Sequence, residues 1–235
     1  MCGRFAQAWT WAQLRAAAEP FWELPHPPEA DDAQPAPRYN MTPARPAGVI
    51  RAGTDGPELA PMHWGIRRYE QGEPANEVIN ARAETAHTLP MFRDSLARRR
   101  CLVPVSGFYE WDRRDGGPAQ PYFLVARDAP LFFLAALWEP GADAEAFAVL
   151  TFATPEGFDP PIHHRMPGVI TPDRAVAWLD PARTDARGAG GVARPFGDPD
   201  AFATAAWPVS RRVNTPRNDG PDLIEPVELE RGLFG

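Results

Sequence analysis

The sequence contains no lysine, and all 24 of its basic residues are arginine. A GC-rich genome explains this bias, and it also fits the abundance of alanine, proline and glycine. The chemical consequence is the same whatever the cause. The α-amine at the N-terminus is the only aliphatic primary amine of the chain.

Cysteine is also scarce, with only Cys2 and Cys101 among 235 residues. Two cysteines argue against a disulfide framework or a zinc cluster, and they favour a reducing, cytoplasmic location. No run of about 18 apolar residues is present and no secretory signal is recognisable, so no association with a membrane is predicted. Because the net charge is −7, binding to nucleic acid would require a local basic patch.

The overall composition, 44% hydrophobic and 23% charged, is typical of a soluble globular protein. No composition change marks a domain boundary, and no internal repeat is present. We therefore predict a single domain over residues 1–235, with a loose tail over about the last ten residues. We expect this domain to be a monomer.

Helical patterns are few. Thr10 and Gln13 have the spacing of a capping box, which predicts a helix through about Phe21. The segment MFRDSLARRR (91–100) ends on basic side chains that suit a helix C-terminus. Pro172 suits a first helical position and predicts a helix through Asp180.

Strand patterns are more numerous, with turns of glycine, proline and aspartate between them. They predict strands over about 47–51, 58–64, 101–111, 120–126, 131–138, 146–152 and 207–214. The proline-rich segment 23–37 and the Gly/Ala-rich segment 184–198 are typical of surface loops. Successive strands with few helices indicate an α+β fold with mostly antiparallel pairing, not a doubly wound sheet.

The position of Cys2 raises a chemical possibility. Methionine aminopeptidase removes Met1 when the second side chain is small, and cysteine qualifies. The mature chain would then begin with an α-amine and a thiol on adjacent carbons. By contrast, Cys101 begins an apolar strand and is expected to be buried and inert.

Four short stretches combine polar side chains with strand ends or turns: RYNMTP (38–43), VINARAET (78–85), GFYEW (107–111) and IHHRMP (162–167). Each has an ordinary structural explanation. Asn80 can cap a turn, Glu110 can pair with an arginine, and the two histidines can be exposed. None matches a zinc site, a P-loop or a dinucleotide-binding fingerprint, so we predict no metal and no cofactor.

Taken together with MCGRF, these stretches carry a resemblance. MCGRF, RYNMTP, WG, INARAET, MFR, RRRCLVP, GFYEW, QPYF, LWE, HHRMP, WL, PVS and VN follow one another in the order found in the SOS response-associated peptidase (SRAP) family. The chain resembles this family, which crosslinks itself to abasic sites in single-stranded DNA during the DNA damage response. The resemblance implies an α+β fold with a barrel-like β core and peripheral helices.

The resemblance also implies four catalytic residues. Cys2 matches the nucleophile, and Asn80 is expected to hold the substrate or the Cys2 backbone. Glu110 is expected to orient the amine and shuttle its proton. His163 is expected to protonate the sugar oxygen, while His164 is assigned no role.

The resemblance implies DNA contacts as well. Arg4 and Arg82 match positions that contact phosphates, and Met91 and Phe92 match an apolar wedge against bases. Relatives carry a tryptophan segment after WG, whereas this chain has IRRYEQGEPANEV, in which arginines and Tyr69 are expected to replace it. The predicted DNA-binding residues are Arg4, Asn40, Pro43, Arg67, Arg68, Arg82, Met91, Phe92, Trp111, Thr151 and Arg165.

The chemistry follows from a 1,2-aminothiol. An α-amine has a pKa of about 7.7–8, so a useful fraction is neutral at cellular pH. It can add to the aldehyde of an open abasic sugar and form a Schiff base, and the neighbouring thiol can then close a thiazolidine ring. The predicted partner is single-stranded DNA with abasic sites, including junctions with duplex DNA, in the bacterial cytoplasm and nucleoid.

Two other function classes remain open at this point. In the first, Cys2 is the thiolate nucleophile of an N-terminal-nucleophile amidase or peptidase, and removal of Met1 by the protein itself would be a related activity. In the second, the chain is a non-catalytic DNA-binding module with an incidental cysteine. We rank crosslinking first, the amidase second and the binding module last.

Overall fold

The structure is a computed structural model, and it describes residues 2–19, 23–24, 36–70, 73–113, 118–141, 144–158, 163–198 and 203–229. Most of the predicted loop over 23–37 and the end of the predicted C-terminal tail lie outside these residues. In the part of the chain that is described, no helix is long and apolar enough to span a membrane.

The helices are short. They are α1 (Trp11–Ala18), α2 (Ala83–Ala86), α3 (Pro90–Arg98), α4 (Pro172–Leu179), α5 (Ala186–Gly190) and two 3-10 helices, Arg211–Asn214 and Pro221–Leu223. The capping box of α1 is confirmed: the Gln13 amide N–H donates to Thr10 Oγ1 at 3.3 Å, and the Thr10 N–H donates to Gln13 Oε1 at 2.8 Å. The three predicted helices are thus present, although α1 ends at Ala18.

Among the described residues, more lie in β-strands than in helices. The strands are β1 (Phe5–Gln7), β2 (Arg38–Met41), β3 (Pro46–Ala52), β4 (Pro57–Trp64), β5 (Ile66–Glu70), β6 (Glu73–Val78), β7 (Asn80–Arg82), β8 (Arg100–Val105), β9 (Gly107–Asp112), β10 (Gln120–Ala126), β11 (Phe132–Glu139), β12 (Ala146–Ala153), β13 (Arg165–Ile170), β14 (Arg194–Pro195) and β15 (Thr204–Pro208).

Local side-chain hydrogen bonds explain two wrong predictions. The strand predicted over 207–214 ends at Pro208, because the Ser210 hydroxyl accepts from the Arg212 N–H and starts a 3-10 helix. The loop predicted over 184–198 contains α5, because the Asp185 carboxylate accepts from the N–H groups of Arg187 and Gly188.

The strands form two larger sheets, and one of them closes on itself. In the closed sheet, β12 pairs with β11 along one edge and with β4 along the other, which completes a ring through β8 and β3. The pairings of β12 with β4 and β7 are parallel, and the other pairings are antiparallel. The predicted α+β fold with a barrel-like β core is therefore confirmed.

The second sheet has the order β15-β10-β9-β1-β2 and is antiparallel. The N-terminal strand β1 lies between β2 and β9, with Phe5 opposite both Met41 and Phe108. This insertion brings the start of the chain to the interior of the molecule.

The helices cover one side of the ring, and a buried arginine joins two of them to it. The Arg100 guanidinium, at the start of β8, donates to carbonyl groups at or just beyond the C-terminal ends of α3 and α4, including those of Leu96 at 2.8 Å and Asp180 at 2.5 Å. A cation placed there satisfies carbonyls that helix ends leave unpaired and complements both helix dipoles.

Candidate active site

The segment before β1 holds Cys2 inside the protein. The Tyr109 N–H of β9 donates to the Arg4 carbonyl at 2.9 Å, which extends the β1–β9 pairing toward the terminus. The Cys2 side chain is fully buried in a cluster that includes Phe5 and Trp64. The pairing of β1 with β9 therefore holds the Cys2 side chain next to β9.

Glu110 lies on β9 and is 4% exposed. Burial raises the pKa of its carboxyl to about 7, and this effect outweighs the opposing charge of the N-terminus, which in this structure is that of Met1. The charge of Glu110 in turn raises the pKa of the Cys2 thiol, so the carboxyl lies close to Cys2. A carboxyl that titrates near neutrality is suited to exchange a proton with the α-amine that Cys2 would carry once Met1 is removed.

The Cys2 thiol, unlike the Glu110 carboxyl, has a pKa far from neutrality. Burial, followed by the nearby charge of Glu110, raises its pKa to about 12, against the smaller opposing effects of the N-terminal ammonium and the Arg4 backbone N–H. The thiol is therefore protonated at neutral pH. In this environment the amine, not the sulfur, is the group more readily converted to its nucleophilic form.

Asn80 approaches from the other sheet, where β7 pairs with β12. Its Nδ2 donates to the Cys2 carbonyl at 2.9 Å. Its Oδ1 is buried and accepts no hydrogen bond from any residue that the structure describes. A buried acceptor without a donor is costly, so this oxygen is suited to receive an N–H or O–H from an amine or a substrate.

His163 lies just before β13, and its ring is held by the backbone of Arg165. Nδ1 lies 2.9 Å from the Arg165 N–H nitrogen and 3.1 Å from the Arg165 carbonyl oxygen. The neutral ring accepts from the N–H and carries its proton on Nε2, whereas the charged ring can donate to the carbonyl. Burial, followed by the N-terminal charge, lowers the pKa of His163. Both protonation states are accommodated, as a proton shuttle requires.

Two of the predicted catalytic residues, Asn80 on β7 and Glu110 on β9, thus lie against Cys2, and His163, in the turn before β13, is close enough to the N-terminus to feel its charge. In the described part of the chain, no cluster of His, Cys, Asp or Glu side chains is arranged to hold a metal ion.

Two of the residues predicted to bind DNA have internal partners. The Arg4 guanidinium donates to Asn40 Oδ1 at 2.7 Å and to the Val213 carbonyl at 2.6 Å. Asn40 is 3% exposed, and its Nδ2 also donates to carbonyls of the C-terminal segment, including that of Asn218 at 2.7 Å. The Asn40 amide therefore fastens this segment to β2, and these bonds would have to break before it could contact DNA.

Arg165 and Thr151 are likewise buried. The Arg165 guanidinium donates to both carboxylate oxygens of Glu84, at 2.8 and 3.3 Å, and to the Thr151 carbonyl at 2.5 Å. The Thr151 side chain, predicted to contact DNA, is fully buried and is not accessible at the surface. Glu84 was assigned no role from the sequence, although it belongs to the polar INARAET stretch.

The predicted apolar wedge needs one correction. Phe92 is 5% exposed and packs in the core, because Phe92 and Leu96 share the inner face of α3. Met91 is partly buried, whereas Leu89, at the N-cap of α3, is 43% exposed. Leu89 and Met91, rather than Met91 and Phe92, are the apolar side chains at this surface.

The remaining predicted contacts lie at the surface. Arg67, Arg68 and Arg82 are exposed, and Pro43 is half-buried in the turn after β2. Trp111 is half-buried, with the Arg4 guanidinium 5.8 Å from the centroid of its ring. A cavity of about 680 Å³ adjoins Arg67 and Arg68 and is also lined by His63, Glu77 and Met91, together with residues of β11, β12 and α3.

Comparisons with known proteins agree with this architecture. The profile of the SOS response associated peptidase (SRAP) family matches residues 1–216. The abasic site processing protein YedK of Escherichia coli is 33% identical over 97% of this chain and 100% of its own length. The abasic site processing protein YoqW of Bacillus subtilis is 33% identical over 80% of this chain and 86% of its own.

Solved structures show the same fold. A crystal structure of a Bacteroides thetaiotaomicron protein has a TM-score of 0.75 at 21% identity and covers 97% of this chain and 100% of its own. A phage-related protein of Bordetella bronchiseptica has a TM-score of 0.68 at 28% identity and covers 89% of this chain and 95% of its own.

Proposed function

The chain belongs to the SOS response associated peptidase family, and from this premise we propose that it binds single-stranded DNA and crosslinks itself to abasic sites through Cys2 once Met1 has been removed. Relatives named as abasic site processing proteins support this role. The observation that carries it is that Asn80 and Glu110 both lie against Cys2: Asn80 Nδ2 donates to the Cys2 carbonyl at 2.9 Å, and the buried Glu110 carboxyl is close enough for its charge to raise the pKa of the Cys2 thiol.

The first step is activation of the amine. Because the pKa of Glu110 is near that of an α-amine, its carboxylate can take a proton from the N-terminal ammonium at little free-energy cost. Meanwhile the charged ring of His163 donates its Nε2 proton to the ring oxygen of the abasic sugar as the ring opens, and the proton that the C1 hydroxyl loses when it becomes the aldehyde restores the charged ring. The unpaired Asn80 Oδ1 accepts from the attacking amine or from a sugar hydroxyl.

The second step joins protein and DNA. The neutral amine adds to the aldehyde carbon, and the Glu110 carboxylic acid protonates the departing hydroxyl group, so that water leaves and a Schiff base forms. The Cys2 thiol then adds to the same carbon and its proton passes to the Glu110 carboxylate. The product is a thiazolidine, and one water molecule is released overall.

The high pKa of the thiol bears on the peptidase alternative. A thiolate-first mechanism would need the Cys2 sulfur to ionise near neutral pH, whereas burial and Glu110 raise its pKa to about 12. The site therefore favours amine-first chemistry over attack on an amide by a thiolate.

DNA binding is assigned to the exposed basic and apolar surface. Arg67, Arg68 and Arg82 would contact phosphates, and Leu89 with Met91 would form an apolar wedge at a junction between single-stranded and duplex DNA. We further infer that the protein acts as a monomer in the bacterial cytoplasm, at the nucleoid when it is bound to DNA.

A denaturing gel of the protein with an abasic single-stranded oligonucleotide tests the proposal. We expect wild type to give a stable adduct and Cys2→Ala to give none without a trapping agent. Cys2→Ser retains the amine, so borohydride should still trap its Schiff base, but its untrapped adduct should decay faster. Cys101→Ala, which removes the other buried cysteine, is the matched control and should crosslink like wild type. An adduct of wild-type lifetime from Cys2→Ser would overturn the thiazolidine assignment.

A further inference from the structure

We propose that His63 is a positioning residue of the DNA-binding surface, because it holds the Glu77 carboxylate away from Arg67 and so keeps the Arg67 guanidinium available to a DNA phosphate. The inference rests on the proposed function, which assigns the exposed arginines of β5 to single-stranded DNA.

The β5–β6 hairpin places Arg67 directly opposite Glu77. Residues directly opposite each other on antiparallel strands project from the same face, and both of these side chains line the 680 Å³ cavity. Opposite charges at such positions usually pair across the strands. A pair of this kind would neutralise the arginine and leave it with less affinity for phosphate.

Glu77 instead points to His63 on β4. Both of its carboxylate oxygens lie 3.1 Å from His63 Nε2. The two side chains are about equally buried, at 29% and 27% exposure. Within the described ranges, no carboxylate lies at ion-pair distance from Arg67. The carboxylate opposite Arg67 is thus committed to the imidazole.

Gly65 makes this arrangement possible. It lies between β4 and β5 with φ of +139°, a conformation that side chains rarely adopt, and a Cβ there would lie 2.7 Å from Glu77 Oε2. The carboxylate therefore crosses the space that a side chain at position 65 would occupy. This explains the glycine of the WG stretch, because a side chain at this position would block the path of Glu77 to His63.

Because Glu77 pairs with His63 and not with Arg67, the positive charge of Arg67 is not neutralised by the carboxylate opposite it. With Glu77 held by His63, the cavity edge presents the Arg67 guanidinium to a strand that enters it. The other carboxylates that line the cavity pair with other arginines: Glu139 pairs with Arg99 at 2.8 Å, and Asp94 pairs with the exposed Arg93. If His63 were absent, Glu77 would be released toward its cross-strand neighbour Arg67.

The test is the affinity for an undamaged single-stranded oligonucleotide, measured as a function of salt. We expect His63→Ala and Arg67→Ala to weaken binding alike, and each to lower the slope of log K against log salt by about 0.7, the loss of one phosphate contact. His63→Ala combined with Glu77→Gln should recover the wild-type slope, because no carboxylate remains to pair with Arg67. His63→Ala combined with Glu139→Gln removes an equal charge from the same cavity and should not recover it.

Three outcomes would overturn the inference: wild-type affinity in His63→Ala, equal recovery by Glu139→Gln, or no recovery by Glu77→Gln. The last would mean that the loss reflects disturbance of the hairpin rather than release of the carboxylate. Failure of the proposed function is distinguishable, since in that case wild type itself would not bind single-stranded DNA.

Discussion

At the scale of single residues, the raised pKa of Glu110 has two consequences that can be measured separately, one for the proposed proton transfer and one for stability. Its carboxyl titrates near pH 7 when folded, well above the ordinary value of 4.5, chiefly because it is buried. A raised carboxyl pKa stabilises the fold only where the carboxyl is protonated. That contribution is complete below pH 4.5 and is lost as the pH rises through about 7.

We therefore expect Glu110→Gln, which stays neutral, to be more stable than wild type at pH 8 by an amount on the order of 1–3 kcal/mol, with the difference disappearing near pH 4. Urea unfolding of both proteins at the two pH values measures this. The same variant should lose the inflection near pH 7 in the rate of crosslinking. Equal effects of the substitution at pH 4 and pH 8 would contradict the assigned pKa.

At the scale of elements, the Glu84–Arg165 pair joins α2 to β13 and lies next to the turn that carries His163. Glu84 also accepts from the Ala153 N–H at the end of β12, at 3.2 Å. Burial alone would raise the pKa of Glu84, but the hydrogen bonds and charge of Arg165 lower it overall. A lowered carboxyl pKa stabilises the fold above its ordinary range, and that contribution is lost as the pH falls.

Glu84→Gln should accordingly destabilise the protein at pH 7 by roughly 1–2 kcal/mol, a figure reduced for the partial exposure of the side chain, and less below pH 4. Thermal or urea unfolding at both pH values provides the measurement. Glu58→Gln is the matched control, since Arg51 loses one partner but keeps Glu145 at 3.4 Å, and stability should change by less than about 0.5 kcal/mol. If the two variants behaved alike, the Glu84 pair would have no special role in holding the elements together.

The sequence predicted elements well where local chemistry decides them. The capping box of α1 and the apolar runs of β10 and β12 are properties of neighbouring residues, and all are present. The sequence predicted side-chain environments poorly where they depend on contacts with distant segments of the chain. Asn40 was expected at the DNA surface, but its partners are some 175 residues further along the chain. A motif shows that a polar side chain is engaged, not whether its partner is a ligand or a remote carbonyl.

The same reasoning applies to the candidate site. Cys2, Asn80, Glu110 and His163 could be named from motifs, while the shifted pKa values depend on burial that only the folded sheets create. Leu89 and Phe92 show the limit for apolar residues, because both lie in one apolar stretch and the position of the helix start decides which is exposed: Leu89 is the N-cap outside α3, and Phe92 lies on the inner face of the helix.

At the scale of the whole molecule, the absence of lysine makes a decisive mapping experiment possible. Every adduct trapped by borohydride with an abasic oligonucleotide should carry the DNA on the N-terminal amine, since no lysine can form a competing imine. Mass spectrometry after trypsin should find it on the peptide Cys2–Arg4. A chain that retains Met1 has its amine one residue from the thiol and should form no stable crosslink. Adducts elsewhere, or a stable adduct from that chain, would contradict the N-terminal mechanism.

The insertion of β1 between β2 and β9 also has a consequence for the order of events during synthesis. Cys2 is among the first residues to leave the ribosome, but β9, which completes its burial, is made about 100 residues later, some 5 to 20 s at ordinary rates of synthesis. In that interval the terminus is an open peptide that an aminopeptidase can reach. Afterwards it is enclosed by the sheet. Burial of the proposed nucleophile would thus set a time limit on its own maturation: Met1 would have to be removed before β9 docks and Cys2 becomes buried.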